Sequence, residues 1–189
     1  MNFRGFLVLL WAVVSVTAQA AAFDIDQLMS DLAQHKGGKA RFVETRTMAL
    51  LDRPLQSTGE MRYLPPDRLE KRTVHPFAET VVLDKDTLSV ERDRRRMTIQ
   101  VASRPEAQAF VESVRSTLSG NRQSLERHYR LELKGARQDW SLVLLPVDAP
   151  VAALIKRITV TGQGNQVRRI EYLQADGDRS ELSIEPITE

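Results

Sequence analysis

The sequence predicts a mainly β (α+β) fold: one strongly curled or barrel-like antiparallel sheet of about eleven strands, covered by two amphipathic helices. Three observations carry this. Short runs of alternating polarity recur along the chain with tight-turn signals between them. Helical periodicity occurs only at the front and in the middle, too rarely for parallel crossovers. A sheet this large must curl or close, and its open end or hollow face is then the apolar surface that the helices require.

The N-terminus reads as an export signal. Arg4 stands in a short polar start, residues 6–16 form an apolar run, and Ala18-Gln19-Ala20 offers small residues for cleavage after Ala20 or Ala22. This eleven-residue run falls short of the roughly 20 residues that span a bilayer. The expected organisation is a signal peptide over residues 1–20 and a single domain over residues 23–189, large enough to bury a core or to line a cavity. The chain has no cysteine, so neither a disulfide nor a thiol-linked lipid anchor is available. With no second apolar stretch of spanning length, a soluble protein of the periplasm is expected if the source is bacterial. Without the signal, 26 basic residues face 25 acidic ones, a balance that argues against general nucleic-acid binding.

The first predicted helix carries Ile25, Leu28, Met29 and Leu32 at helical spacing, with Asp24 or Asp26 as its cap and Gly37-Gly38 at its end. Alternating runs over residues 40–51, 55–64, 67–75, 79–84, 87–92 and 96–101 follow as strands. In the second helix Ser103 and Glu106 form a capping box, and Ala107, Phe110, Val111, Val114 and Leu118 form a stripe that ends before Gly120. Residues 123–127 add a short helical turn. Strands resume over residues 128–135, 139–145, 156–162, 166–173 and 179–185, separated by Gly-Ala, Gly-Gln-Gly-Asn and Ala-Asp-Gly-Asp turn signals. No internal repeat or low-complexity linker interrupts them.

Catalytic constellations are thin. His35, His75 and His128 fall at a helix end, a turn and a strand start without paired metal-ligand spacing, and read as surface or cap residues. There is no nucleophile elbow, phosphate-binding glycine loop or dinucleotide fingerprint. Asp176-Gly177-Asp178 lacks the flanking ligands of a calcium loop and reads as a hairpin turn, as do Asp84 and Asp86. No enzyme, cofactor or metal site is therefore expected. The densest charge, residues 92–96, lies where one strand ends and the next begins. It is either a solvated hairpin tip or, through Arg94, Arg95 and Arg96, a landing point for anionic lipid headgroups or an acidic partner, at about 1 kcal/mol per charge near a membrane.

Several short matches hold an ordered spacing. They are Ala40-Arg41-Phe42-Val43-Glu44, the alternating Gly59, Met61 and Tyr63, then Pro66, Pro76, Asp84-Lys85-Asp86-Thr87-Leu88, and the closing stretch NQVRRIEYLQADGDRSELSIEPI. Together they resemble the periplasmic carriers of outer-membrane lipoproteins, the LolA family, with its lipid-anchored relative LolB. The resemblance implies an unclosed antiparallel β-barrel of about eleven strands, a helical lid and an apolar interior that shelters acyl chains. The missing cysteine favours the soluble, LolA-like role. By strand parity the candidate lining residues are Phe42, Met61, Tyr63, Leu69, Leu88, Val90, Met97, Ile99, Trp140, Leu142 and Leu144. The lid candidates are Leu28, Met29 and Leu32 on the first helix and Phe110, Val114 and Leu118 on the second. Helical apolar spacing fits a packed core as well as a lid, so both readings stand.

Implied partners are an acylated lipoprotein or other lipid cargo, an inner-membrane donor and an outer-membrane acceptor. The expected protein is a monomer with no nucleic-acid partner and only transient membrane contact. A sensor or protein-interaction module on the same barrel is the alternative, with a packed interior and the basic hairpin or Phe77 as its contact. The chain departs from the family pattern at Pro65, where carriers place an arginine that hydrogen-bonds the lid; proline donates no such bond. The next strand offers Leu69 beside Lys71 and Thr73 where the family is usually aromatic. A smaller or more polar cavity is the expected consequence.

Overall fold

The computed structural model describes residues 23–187; the proposed signal peptide and its cleavage site lie outside them. The elements in chain order are α1 (Ile25–Ala33), β1 (Gly38–Thr47), β2 (Leu55–Leu64), β3 (Arg68–His75), β4 (Glu79–Asp84), β5 (Thr87–Arg92) and β6 (Arg95–Gln100). A 3₁₀ turn (Val101–Ser103), α2 (Pro105–Ser119) and α3 (Arg122–Glu126) lead to β7 (Tyr129–Ala136) and β8 (Asp139–Pro146). Then come α4 (Ala149–Ala152), β9 (Ile155–Gln163), β10 (Gln166–Gln174) and β11 (Arg179–Pro186).

All eleven strands form one antiparallel sheet, ordered β6-β5-β4-β3-β2-β1-β11-β10-β9-β8-β7. Two meanders meet at its centre, where β1 pairs with β11 from Ala40 opposite Pro186 to Thr47 opposite Arg179. Among the described residues the edge strands β6 and β7 do not pair, so the curled sheet stays unclosed. The chain passes from one edge to the other through α2 and α3. Because a meander alternates its turns, the β1–β2, β3–β4 and β5–β6 turns share one end of the sheet and the β2–β3 and β4–β5 turns the other.

Period-two alternation aims one face of each strand inward. Phe42, Trp140, Leu142, Leu144, Ile158, Val160, Ile170 and Leu182 form the main core with Leu28, Met29 and Leu32 of α1 and Ala109 of α2. Val111, on another face of α2, packs with Leu83 and Val101 in a smaller cluster. Helix α2 thus sits between the two halves of the sheet. Gly120 caps it in the left-handed region, and a Cβ there would lie 2.1 Å from the Met29 carbonyl oxygen, so α2 ends directly against α1. Arg137 holds the largely buried Asp31 of α1 in two hydrogen bonds of 2.7 and 2.6 Å, and Arg122 of α3 reaches Asp26 at 2.9 Å.

Differences from expectation have local causes. β1 ends at Thr47 rather than residue 51, because the Leu51 N–H turns back to the Met48 carbonyl. The Ser103–Glu106 capping box does not form: Ser103 lies in the 3₁₀ turn and donates to the Gln100 carbonyl, and α2 starts at Pro105 after an Arg104 N-cap without a side-chain cap. Asp24, not Asp26, caps α1, accepting from the Gln27 N–H at 2.9 Å. α4 was not expected, since four residues are too few to show a helical period. Gly59 sits at a bulge where a Cβ would lie 2.0 Å from the Arg72 carbonyl oxygen, which is why a glycine interrupts β2.

Candidate functional site

A cavity of about 220 Å³ lies between the helices and the central strands. Its walls are Met61 and Tyr63 of β2, Leu69 of β3, Ile170 of β10 and Ile184 of β11, under a roof of Leu32, Val114 and Leu118. His35, Gly37, Lys39, Asn165 and Gln166 stand at the same cavity as its more polar border. The volume falls below the roughly 300–1,000 Å³ of sites that enclose a drug-sized ligand. Beside it, under α2, a gap of about 10 Å³ separates Val114 and Leu118 from Leu144, Ile158 and Tyr172, room for no more than about one water.

The next inward positions are not apolar throughout. Phe42 is 2% exposed, and the Lys71 ammonium lies 4.9 Å from the centre of its ring. Lys71 donates to Glu44, which is 6% exposed and also accepts from Arg46 Nε at 2.7 Å and Ser180 Oγ at 2.9 Å. Burial works to raise the Glu44 pKa, and the hydrogen bonds and charges of Arg46 and Lys71 together outweigh it, holding the carboxyl at about 2. Burial, then Tyr129 and the Glu44 charge, push the nearby Tyr172 hydroxyl above its usual range.

At the border, the His35 ring stacks on Tyr63 with centroids 6.2 Å apart, and its Nδ1 accepts the Gly37 N–H at 3.0 Å. Burial lowers the His35 pKa. The Tyr63 hydroxyl donates to the Pro66 carbonyl at 3.3 Å. The segment after α1 is therefore seated on the β2–β3 corner.

Of the predicted lining residues, Met61, Tyr63 and Leu69 border the cavity. Phe42 lies beyond its walls, Trp140 and Leu142 are packed in the core, and Leu144 borders the narrow gap. Leu88 packs against the smaller cluster. Leu88, Val90, Met97 and Ile99 do not border the cavity, because β5 and β6 form the outer edge of the sheet and its walls reach only to β3; Met97 is 56% exposed. Of the lid residues, Leu32, Val114 and Leu118 cover the cavity, Leu28 and Met29 are packed in the core, and Phe110 is half-exposed against Tyr172, with ring centroids 5.2 Å apart. Arg94, Arg95 and Arg96 are exposed at the β5–β6 turn, where Asp93 and Arg94 take left-handed backbone; Arg96 pairs with Glu91 at 2.9 Å and Arg92 lies over Phe77.

Sequence reasoning missed His35, Val167, Ile170 and Ile184 as cavity residues. Ile184 shares inward parity with Leu182 and was open to the same argument. The register shift between Val167 and Arg169 breaks the alternation of β10, so Val167 and Ile170 reach one cavity three residues apart.

Among the described residues no three metal-ligating side chains converge, and no helix is long and apolar enough to cross a membrane. Residues 17–184 match the family described as outer membrane lipoprotein carrier protein, LolA-like. The chain is 25% identical over 177 residues to an outer-membrane lipoprotein carrier protein of Dechloromonas aromatica (strain RCB), covering 94% of this chain and 82% of that protein. It is 27% identical over 179 residues to the protein of the same description from Methylibium petroleiphilum (strain ATCC BAA-1232 / LMG 22953 / PM1), covering 92% and 83%. Among solved structures, a LolA superfamily protein from Nitrosomonas europaea is similar at a TM-score of 0.45 and 7% identity, covering 89% of this chain and 95% of that one.

Proposed function

This chain belongs to the LolA-like family of outer membrane lipoprotein carriers, and from that membership we propose that it is a periplasmic carrier of acylated cargo. A signal peptide over residues 1–20 exports it, and the domain over residues 23–189 acts as a monomer. Its cavity shelters an acyl chain of a lipoprotein or other amphiphile between an inner-membrane donor and an outer-membrane acceptor. The exposed Arg94, Arg95 and Arg96 are its contact with headgroups or with those partners.

The observation that carries this reading is the cavity itself, walled by Met61, Tyr63, Ile170 and Ile184 and roofed by Val114 and Leu118. Each buried methylene is worth about 0.8 kcal/mol, so a long acyl chain gains on the order of 10 kcal/mol before ordering costs. A carrier must return most of that at delivery. A volume of about 220 Å³ is too small for a long chain unless α2 moves, and exposing Val114 and Leu118 offsets part of the gain. A second reading, a protein-interaction module, draws on the dry packing of Phe42, Trp140 and Leu142 in the same interior.

Native mass spectrometry of the exported protein, before and after addition of a triacylated lipopeptide, tests both. Carriage predicts a co-purifying acyl mass, or stoichiometric lipopeptide uptake by the emptied protein. A stoichiometric polypeptide without lipid favours the module. A monomer that neither carries nor takes up lipid overturns carriage.

A further inference from the structure

We propose that the ion pair of the buried Glu44 with the half-buried Lys71 is the floor of the acyl cavity and limits this carrier to a chain end inserted to a fixed depth. The inference rests on the carrier reading and deepens it. On each central strand the residue that borders the cavity is followed, at the next inward positions, by one that does not. Ala40 gives way to Phe42 and Glu44 on β1, Leu69 to Lys71 on β3, and Ile184 to Leu182 and Ser180 on β11. The wall passes there to the buried Phe42 and Leu182, and behind them to an ion pair, Lys71 opposite Met61 and Glu44 one inward position beyond Phe42, whose carboxylate side chain is only 7% exposed.

That change acts on chain length. A methyl end moving along the apolar wall gains roughly the same increment for every carbon it buries. To pass the floor it must separate Lys71 from Glu44 or strip them of their remaining polar contacts. Breaking an ion pair whose carboxylate is buried and hydrogen-bonded cancels what several methylenes return. Phe42 reinforces the block, because Lys71 lies over its ring and the two can be parted only at the cost of that contact. Replacing both charges by apolar groups is by contrast well tolerated in buried sites. Arg46, 56% exposed at its side chain, is left free to turn to water when Glu44 is replaced.

The experiment measures displacement of a fluorescent fatty-acid probe by the saturated series from octanoate to stearate, in the wild type and in the Glu44→Leu/Lys71→Ala double variant. In the wild type, affinity should rise roughly fourfold per methylene and then level off at a break in the series. In the folded double variant the break should move to longer chains. The wild-type series tests the floor even where the variant does not fold. Absence of a break in the wild type, or a break that stays in place in a folded variant, overturns the floor while leaving carriage intact. No binding at any chain length overturns the carrier reading and the floor with it.

Discussion

Gly37 is seated against Pro65 with no room for a side chain between them. A Cβ on Gly37 would lie 2.6 Å from Pro65 Cδ and 2.5 Å from the Tyr63 carbonyl oxygen, and the residue holds a φ of +81°. Pro65 is the position at which the family resemblance leads one to expect an arginine that bonds the lid. Here the end of α1 is held to the β2–β3 corner by contact, through Gly37 on Pro65 and the stack of His35 on Tyr63.

A methyl group at Gly37 should therefore both strain the backbone and push the two segments apart. Gly37→Ala should destabilise the domain by about 1–3 kcal/mol, lowering Tm by several degrees. Gly177→Ala isolates the backbone part, since Gly177 has a φ of +97° but no atom within 4 Å of the place a Cβ would take. Thermal denaturation should show the larger loss for Gly37→Ala. Equal losses would mean that the contact with Pro65 contributes nothing.

His35 makes the same junction sensitive to pH. Its Nδ1 accepts the Gly37 N–H, and burial lowers its pKa, so the fold favours the neutral ring. The unfolded chain then binds the proton more readily. Stability is present above the ordinary histidine pKa near 6.5 and is lost as pH falls through the lower folded value. Chemical denaturation between pH 7.5 and about 5 should show this loss in the wild type and a smaller one in His35→Gln. An identical pH dependence in both proteins would remove His35 from the account.

Much of the fold was legible because neighbours in sequence are mostly neighbours in the sheet. β4 and β5 fall where alternation placed them, joined by a turn in which Lys85 takes left-handed backbone. The pairing of β1 with β11 joins residues at opposite ends of the domain, and no local pattern encodes it. At the site, parity identified Met61, Tyr63 and Leu69 as inward-facing, and it did the same for Phe42, Trp140 and Leu142. The first group borders space and the second is packed solid. Alternation reports which face a side chain takes, whereas the space beyond it depends on where α1 and α2 rest. Lys71 stands out in the sequence as a departure from an apolar wall, but its partner Glu44 lies two strands away and is reached only through the folded sheet.

The same Glu44 should set the acid limit of the domain. Its folded pKa of about 2 lies below the ordinary carboxylate value of 4.5, so it contributes stability above that value and loses it as pH falls toward 2. The contribution is on the order of 3 kcal/mol. Glu44→Gln leaves Lys71 without its carboxylate, so its stability at pH 7 should be lower, and its acid transition should lack the part that Glu44 supplies. Urea unfolding at pH 7 and pH 3 measures both. A variant that loses stability on acidification as steeply as the wild type would show that other carboxylates govern the transition.

The basic turn between β5 and β6 offers a test of the proposed membrane contact that does not involve the cavity. Arg94, Arg95 and Arg96 are exposed at the end of the sheet that also presents Phe77, 63% exposed, and Leu50, 93% exposed, on the β3–β4 and β1–β2 turns. Such an edge can place guanidinium groups among anionic headgroups and apolar side chains at the acyl boundary together. At about 1 kcal/mol per charge, the triple Arg94→Ser/Arg95→Ser/Arg96→Ser change should weaken binding to anionic vesicles by roughly a hundredfold at low salt. The difference should shrink as the ionic strength rises and screening shortens to about 10 Å at 0.1 M. Cosedimentation with phosphatidylglycerol vesicles, with zwitterionic vesicles as the control, reads the effect. Because the three side chains lie on exposed turn and edge backbone, Tm should stay within a few degrees of the wild type. Unchanged vesicle binding at low salt would return the turn to the status of a solvated hairpin tip.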